Sequence, residues 1–267
     1  MNSSKFYDWF NRKTITKLIG KEVDEVILQQ IKDSKDLYKE LSTSYRNEFF
    51  YKNTLFNKLV LGTYSLNTTV ALSEIEIDDS KADFAIINSK KSFVVEIKTD
   101  LDNLEKLIFQ IEDYYKVFSI VYVLTSENYY YQVYRLLKNT KVGIMVLTKR
   151  NTISIRKDAS EDFSGLKHDN LFRILRKQEY EELIEKNFEE IPKVKPISRY
   201  TTYLNMFRLL DIKKSQRLVF NAILGRINKN NVEYLKEVPL EFRWLVYQSH
   251  LNREKFERLL NNLQGGI

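Results

Sequence analysis

The chain has 267 residues, 43% hydrophobic and 13% aromatic, so it can bury the core of one or two domains. It holds 43 Lys or Arg against 36 Asp or Glu, and it has no cysteine, which excludes disulfides, thiolate nucleophiles and cysteine-ligated zinc. Neither a signal-peptide pattern nor a run of about 18 apolar residues occurs, so we expect a soluble, cytoplasmic protein with no membrane partner.

The hydrophobic pattern predicts helices and strands that alternate along the chain. The predicted elements are helices up to about Leu41, a helix at 45–61, a strand at 68–77, hairpin strands at 81–87 and 93–98, a helix at 101–118, a strand at 120–124, a helix at 127–138, and strands at 142–147 and 153–156. Thr99 and Asp100 are suitable N-caps for the helix at 101–118. This order predicts an α/β fold with a mixed central sheet flanked by helices.

Glu96 and Lys98 stand two residues apart in the apolar run 93–98. Residues two apart in a strand project from the same face, so both charges lie on one face of an otherwise apolar strand. The chain has four acid-x-Lys triplets, and only this one lies within a β-branched and aromatic run. Because an unpaired buried charge is costly, we expect this strand to hold a metal ion, a partner charge or a substrate.

Asp83 lies in the preceding apolar run, and the polar cluster at 88–92 predicts a hairpin loop between the two runs. If the loop closes at Ile87 and Ser92, the antiparallel register places Asp83 directly opposite Glu96. Opposed residues have Cβ atoms about 4.5–5.5 Å apart, close enough for two carboxylates to share one divalent cation. Two like charges without a cation would repel each other, so the register predicts an Mg²⁺ or Mn²⁺ site.

After residue 160 the pattern is helical, with predicted helices at 171–187, 198–228 and 240–263. We therefore predict two domains: residues 1–160, with the sheet and the N-terminal helices, and residues 161–267, a basic helical C-terminal extension. This extension could present nucleic acid to the first domain or bind a protein partner.

A basic stretch at 193–229 lies within the extension and contains a single acid, Asp211. Its cations are Lys193, Lys195, Arg199, Arg208, Lys213, Lys214, Arg217, Arg226 and Lys229, with Tyr200, Tyr203 and Phe207 interspersed. Cations neutralise phosphates and aromatic rings stack on bases, so the stretch predicts a nucleic-acid surface. Its predicted contacts are Arg199, Lys213, Lys214 and Arg217. The alternative is a solvated helical surface with the aromatic residues in the core.

Two segments of the chain, Ala82-Asp83 and, on the next strand, Glu96-Ile97-Lys98, together resemble the core motif of the PD-(D/E)xK nuclease superfamily. Alanine replaces the proline of the motif, which is not a ligand. Gln110 and Tyr114, on the next predicted helix, are similar to the Q-x-x-x-Y element of the RecB-like and phage-exonuclease branches. The stretch at 45–149 is also similar to a sparsely characterised bacterial and phage family in this superfamily.

The resemblance implies a restriction-endonuclease-like fold and a site for phosphodiester hydrolysis. It implies that Asp83, Glu96 and the backbone carbonyl of Ile97 bind Mg²⁺ or Mn²⁺. Lys98 would hold or deprotonate the attacking water and stabilise the developing charge. The structural alternative for these side chains is a buried salt-bridge cluster in a fold without activity.

The same resemblance implies that Gln110 and Tyr114 orient the water or contact the nucleic-acid backbone. The alternatives are a solvated glutamine and a tyrosine that only packs. Glu48 shares a helical stripe with Lys52 and two leucines, and the resemblance implies that it is a further catalytic residue and metal ligand. Its alternative is an (i, i+4) salt bridge with Lys52. Glu74 alternates with apolar neighbours, so it either faces solvent or adds a ligand.

The sequence therefore predicts a metal-dependent nuclease, a Mg²⁺-dependent hydrolase with DNA as the expected substrate. The rival prediction is a catalytically idle nucleic-acid-binding or regulatory protein on the same fold. A third is an assembly subunit whose helical extension engages another protein. The sequence leaves open endonuclease or exonuclease action, strandedness, sequence specificity, DNA or RNA, one or two metal ions, and oligomeric state.

Overall fold

The computed structural model describes residues 9–20, 23–44, 46–227 and 234–265. Tyr45 and Lys229, which belong to the sequence-based predictions, lie outside these ranges. The chain divides into two compact units. The helical unit comprises residues 1–67, 149–152 and 228–267, and the sheet unit comprises residues 68–148 and 153–227. These units differ from the predicted domains, 1–160 and 161–267.

The six strands of the sheet unit form one mixed sheet in the order β1 to β6. They are β1 Thr69–Ile77, β2 Ser80–Asn88, β3 Phe93–Lys98, β4 Val121–Ser126, β5 Gly143–Leu147 and β6 Ile153–Lys157. β1, β2 and β3 are successive antiparallel neighbours, β4 and β5 continue parallel to β3, and β6 is antiparallel to β5. The predicted α/β class and mixed sheet are confirmed.

The described helices follow the predicted order, with some predicted helices split in two. They are α1 Arg12–Leu18, α2 Glu25–Thr43, α3 Glu48–Leu55, α4 Leu107–Tyr115, α5 Tyr130–Leu137, α6 His168–Arg173, α7 Lys177–Asn187, α8 Pro196–Phe207, α9 Ile212–Leu224, α10 Arg243–Gln248 and α11 Arg253–Gly265. A π-helical turn, Phe56–Val60, extends α3, and short 3₁₀ turns lie at Tyr234–Lys236 and Leu240–Phe242. Among the described residues, no helix has both the length and the apolar composition needed to cross a bilayer.

The register of the β2–β3 hairpin is the one predicted from the sequence. Ala85 pairs with Val94, and Phe84 pairs with Val95. Strand alternation then puts Asp83 opposite Glu96, just beyond the last paired residues. One sheet face therefore carries Asp83, Glu96 and Lys98 together with Ala85 and Val94.

Helices of the sheet unit cover this face of the sheet. Its core contains Ala85 and Val94 from the strands together with Ile111 of α4, Val133 of α5 and Val219 of α9, all buried. Helices α6 to α8 contribute to the same core. The segment after residue 160 therefore belongs with the sheet as far as residue 227, because its apolar helix faces are buried in the sheet unit's core.

In the helical unit, Asn53 of α3 is fully buried and satisfied by hydrogen bonds. Its amide donates to the Tyr38 hydroxyl of α2 (2.7 Å) and to the Leu240 carbonyl (3.0 Å), and its oxygen accepts from the backbone N–H of Trp244 (3.1 Å). One amide thus links α2, α3 and the start of α10, as buried polar groups require.

The predicted helix at 101–118 is shorter than expected, because α4 begins only at Leu107. Thr99 does not cap a helix. Its backbone N–H and hydroxyl instead donate to the Asp102 carboxylate, both at 2.7 Å. Short polar side chains offer the backbone this alternative to helix formation, so the segment 99–106 is a loop.

The predicted helix at 198–228 is two helices, and the break lies near Asp211. The Asp211 side chain accepts a hydrogen bond from the backbone N–H of Lys214 (2.8 Å) and so caps the start of α9. Likewise, the predicted helix at 240–263 is divided between α10 and α11, with His250 at a φ of 45° between them.

Candidate active site

Glu96 lies in the middle of the apolar strand β3 and is 2% exposed. Its Oε1 is 2.9 Å from the Lys98 ammonium, and its Oε2 accepts a hydrogen bond of 2.5 Å from the Tyr114 hydroxyl. The predicted same-face pair is therefore a buried ion pair. Because both carboxylate oxygens already have partners, the charge of Glu96 is compensated inside the fold.

Lys98 continues the chain of contacts toward α4. It is 8% exposed, and its ammonium donates to Gln110 Oε1 at 2.9 Å. Gln110 and Tyr114 are one helical turn apart on α4, so one reaches Lys98 while the other reaches Glu96. The four predicted residues form a continuous contact series, Tyr114–Glu96–Lys98–Gln110. Gln110 is not an isolated solvated residue.

Tyr114 is fully buried, which contradicts its predicted contact with the nucleic-acid backbone. Its hydroxyl also lies 3.2 Å from the Lys81 carbonyl. Burial raises the pKa of Tyr114 well above its ordinary range, and the charge of Glu96 and the hydrogen bond to it raise this pKa further. The hydroxyl therefore stays protonated and acts as a fixed donor to Glu96.

Asp83 is half-buried and lies on the neighbouring strand at the register position facing Glu96. Its Oδ2 accepts a hydrogen bond of 2.7 Å from the backbone N–H of Ile97. Asp83 is thus anchored to the residue between Glu96 and Lys98. No contact tests the predicted ligand role of the Ile97 carbonyl, which stays a prediction.

The sequence predicts that Glu74 either faces solvent or adds a ligand; the structure shows it exposed and on the strand next to Asp83. It lies between the pairs Ser73–Phe84 and Ile75–Ala82, so it faces Asp83 from β1. A carboxylate oxygen of each residue lies within 4.8 Å of the other. Glu74 also pairs with Lys81 (2.5 Å).

The backbone of Glu74 has a φ of 55°, in the left-handed region that non-glycine residues rarely occupy. Such a conformation costs on the order of 1–2 kcal/mol and occurs often at functional sites. The alternation of acids with apolar residues marked Glu74 as a strand residue, but alternation does not reveal a positive φ.

Glu48 is the first residue of α3, in the helical unit, and it is exposed. Its carboxylate pairs with the Lys52 ammonium, and the Lys52 side chain is buried. The (i, i+4) salt bridge that the sequence offered as the alternative is therefore present. The predicted metal role of Glu48 stays a prediction.

The predicted nucleic-acid surface is only partly free for ligands. Three arginines are held by carboxylates: Arg199 by Glu181 (2.9 Å), Arg208 by Asp169 (2.6 Å) and Arg226 by Glu179 (2.6 Å). Each of these positive charges is therefore balanced by a neighbouring carboxylate of the same unit. Arg199 therefore already has an acidic partner at the position where a phosphate contact was predicted.

The aromatic residues of this stretch do not form a stacking platform. Tyr203 and Phe207 are buried in the core of the sheet unit, and Tyr200 packs its ring against Phe172 (5.2 Å). The core alternative is correct for Tyr203 and Phe207, whereas Tyr200 is 39% exposed. The remaining predicted contacts are exposed on α9, namely Lys213, Lys214 and Arg217, and the Lys213 ammonium lies 4.5 Å from the Phe163 ring centroid.

The donor set of the site is made of oxygens. Asp83 and Glu74 are accessible acids on adjacent strands, and Glu96 is a third carboxylate on the next strand. Oxygen ligands suit Mg²⁺ and Mn²⁺, and a carboxylate oxygen that accepts one hydrogen bond keeps a second lone pair. Asp83 and Glu74 therefore offer donors of the kind that such a cation prefers, and Glu96 and Lys98 lie on the same sheet face as Asp83.

The family model described as Bacteriophage P4 protein cII matches residues 42–253, which is more than half of the chain. The chain belongs to this family. The match spans β1 to β6 and α4 to α9, so the whole candidate site of this P4 cII family member lies within the matched residues. No curated protein and no solved structure matches the chain.

Replacing Tyr114 with phenylalanine in this P4 cII family member should lower the free energy of unfolding by about 2 kcal/mol. The substitution leaves the ring in place and removes the donor to Glu96, whose buried carboxylate then lacks one partner. Urea denaturation followed by circular dichroism measures the change. Tyr131→Phe is the matched control, because that tyrosine is exposed and its substitution should leave stability unchanged.

The stabilisation by Tyr114 should disappear at alkaline pH. Its pKa in the folded state lies above that of an unfolded tyrosine, about 10, so the contribution is complete below that pH and is lost as the pH rises further. The difference in unfolding free energy between wild type and Tyr114→Phe should shrink above pH about 10. A difference that stays constant there would contradict this assignment.

Proposed function

We propose that the chain is a metal-dependent nuclease that hydrolyses phosphodiester bonds, with DNA as its substrate. The contact series Tyr114–Glu96–Lys98–Gln110 is the observation that carries the proposal. Its residues come from a strand and the following helix, and they are four of the five side chains in the nuclease motif and its Q-x-x-x-Y element; the fifth, Asp83, is anchored to the backbone N–H of Ile97. The series brings a buried carboxylate, an ammonium and an amide together next to β2, the strand that carries Asp83.

We infer further that the sheet unit is a restriction-endonuclease-like domain of the PD-(D/E)xK superfamily. The order of elements supports this inference: an acid on β2, Glu-x-Lys on β3, and Gln and Tyr one turn apart on α4. The change from antiparallel pairing at β2–β3 to parallel pairing at β3–β4 gives the mixed sheet that the resemblance implies.

Each residue has a defined part in the proposed hydrolysis. Asp83, Glu96 and the Ile97 carbonyl would hold Mg²⁺, with Glu74 as a further acid beside Asp83. Bound Mg²⁺ supplies charge neutralisation of the phosphate and lowers the pKa of a coordinated water. Lys98 donates to the water or to a phosphate oxygen and stabilises negative charge as it develops.

The two residues on α4 act on the strand residues. Gln110 accepts from the Lys98 ammonium and fixes its direction, and Tyr114 does the same for the Glu96 carboxylate. Such fixed positions matter because catalytic groups lose efficiency when they must reorganise during the reaction. On α9, Lys213, Lys214 and Arg217 remain proposed phosphate contacts.

A catalytically idle nucleic-acid-binding protein is the second candidate. Lys98 and Tyr114 already satisfy Glu96, and the backbone of Ile97 satisfies Asp83, so the network is complete without a cation. This observation favours a purely structural role for the same residues, and metal binding together with DNA cleavage separates the two candidates.

Mn²⁺ titration by calorimetry tests the metal site. Wild-type protein should bind Mn²⁺, and Asp83→Asn should bind it at least about tenfold more weakly, because one anionic ligand is lost. Asp79→Asn is the matched control, since this exposed acid lies in the turn before β2 and is not part of the proposed site.

The same samples are then incubated with labelled single-stranded and duplex DNA. Cleavage that requires Mg²⁺ or Mn²⁺ and is lost in Asp83→Asn supports the nuclease. Tight DNA binding by wild type with neither Mn²⁺ binding nor cleavage establishes the idle candidate instead.

A further inference from the structure

The outward face of α5 carries two exposed aromatic residues, Tyr131 and Tyr134, beside the partly buried Tyr130, which packs against the core of the sheet unit. Four tyrosines occur in the six residues 129–134. Val133 and Leu137 bury the inner face of α5, whereas Tyr131 is 69% exposed and Tyr134 is 38% exposed. Large exposed aromatic rings clustered on one helix indicate a binding surface.

The rings of Tyr130, Tyr131 and Tyr134, which we name the tyrosine face, support one another. The Tyr130 ring centroid lies 5.2 Å from that of Tyr131 and 5.7 Å from that of Tyr134. Ring contacts of this kind restrict side-chain rotation. The tyrosine face therefore loses little conformational freedom when a flat ligand binds to it.

The segment that carries the tyrosine face has an excess of positive charge. Residues 128–141 contain no Asp or Glu and three cations, Arg135, Lys138 and Lys141. Arg135 and Lys138 are exposed on α5 itself, and Lys141 pairs with Asp162 (3.2 Å). The combination of exposed rings with exposed cations is complementary to a ligand that has flat apolar faces and a regular negative charge.

We propose that the tyrosine face binds single-stranded DNA, with bases stacked on Tyr131 and Tyr134 and phosphates near Arg135 and Lys138. Unpaired bases are required, because bases within a duplex are stacked on each other and have no free faces for a tyrosine ring. Stacking on aromatic side chains tolerates any base sequence, and the cations follow the backbone.

The position of α5 connects this surface with the candidate active site. β3 and β4 are parallel, so Lys98 and Ser126 end their strands at the same edge of the sheet. Ser126 Oγ contacts the Asp100 carboxylate, and the Tyr129 hydroxyl donates to the Asp102 carbonyl at 2.6 Å. The first turn of α5 is thus tied to the loop that follows Lys98. Delivery of the bound strand to Lys98 rests on the proposed nuclease function, whereas binding itself does not.

The test measures the fluorescence anisotropy of a labelled oligothymidylate of about 20 nucleotides in the presence of EDTA, so that nothing is cut. The double variant Tyr131→Ala/Tyr134→Ala should bind about tenfold more weakly for each ring removed. Tyr131→Phe/Tyr134→Phe keeps both rings and should bind as wild type does. Both tyrosines are exposed, and circular dichroism verifies that the variants are folded.

The other arms use a duplex of the same length and vesicles of anionic lipid. Wild type should prefer the single strand, and the alanine variant should lose that preference. The proposal is overturned if the alanine variant binds the oligothymidylate as tightly as wild type does. It is also overturned if wild type binds the duplex as tightly as the single strand and the alanine variant loses the same affinity for both, or if wild type binds only the vesicles. Failure of the nuclease proposal is distinguishable, because an uncut oligothymidylate that still binds through the tyrosines leaves this inference intact.

Discussion

Lys98→Ala is expected to reduce metal-dependent DNA cleavage at least about a hundredfold, which is the effect of removing one group that stabilises developing charge. The Lys98 ammonium is 2.9 Å from Glu96 and donates a hydrogen bond to Gln110. It is the cation of this contact series, so its removal takes the positive charge away from the proposed site. Initial rates on labelled DNA at saturating Mg²⁺ measure the loss. Lys90→Ala, which removes the same charge from the exposed hairpin loop, should leave the rate unchanged.

A loss of folding must be separated from a loss of catalysis, because Lys98→Ala also leaves Glu96 buried without its cation. Lys98→Met keeps the apolar stem, and the double variant Lys98→Met/Glu96→Gln removes both charges at once. We expect the double variant to be more stable than Lys98→Met and equally inactive. Cleavage by a folded Lys98→Met protein at the wild-type rate would refute the catalytic assignment.

Arg226→Ala should lower the free energy of unfolding by about 2–3 kcal/mol. Its guanidinium forms two hydrogen bonds of 2.6 Å with the Glu179 carboxylate and a third, of 3.1 Å, with the Ile174 carbonyl. Both side chains of the pair are only 14% exposed. The substitution would leave a largely buried carboxylate without its cation where the end of α9 meets the start of α7. Urea denaturation at neutral pH measures the change.

Arg208→Ala is the matched control, because Arg208 makes an equally bidentate pair with Asp169 that is about half exposed. Solvent screens that pair, so its loss should change stability little. Equal destabilisation by the two variants would show that burial does not decide the contribution of these arginines.

The Arg226 contribution should also depend on pH. Burial raises the pKa of Glu179, but hydrogen bonds from Arg226 and from the backbone N–H of Arg176 outweigh burial, and the pKa lies below its ordinary value. A lowered pKa stabilises the fold above the unfolded value, about 4.3, and the stabilisation is lost as the pH falls through the folded value. The difference between wild type and Arg226→Ala should therefore shrink in acid.

The hairpin at the centre of the candidate site was predictable because it is a local structure. Two apolar runs separated by a short polar cluster restrict the register, and the register decides which residues face each other. Asp83 opposite Glu96 follows from that rule alone. The spacing of Gln110 and Tyr114 is also local, since a helix places residues four apart on one face.

Contacts between distant segments were not predictable in the same way. The sequence predicted a nucleic-acid contact for Arg199 and left Tyr203 and Phe207 open between that surface and the core, and the fold uses Arg199 for an ion pair and the two aromatic residues for the core. A basic and aromatic composition is the same whether the side chains face solvent or a neighbouring helix, so composition cannot distinguish these outcomes.

The sequence by itself determined the order of strands and helices, the hairpin register and the presence of two charges on one face of β3, because periodicity and turn length act over a few residues. Only the tertiary structure decided that Tyr114 holds Glu96, that Glu74 faces Asp83, and that the helices as far as residue 227 belong with the sheet. These features depend on packing between segments far apart in the chain, where burial and partner geometry outweigh local preference.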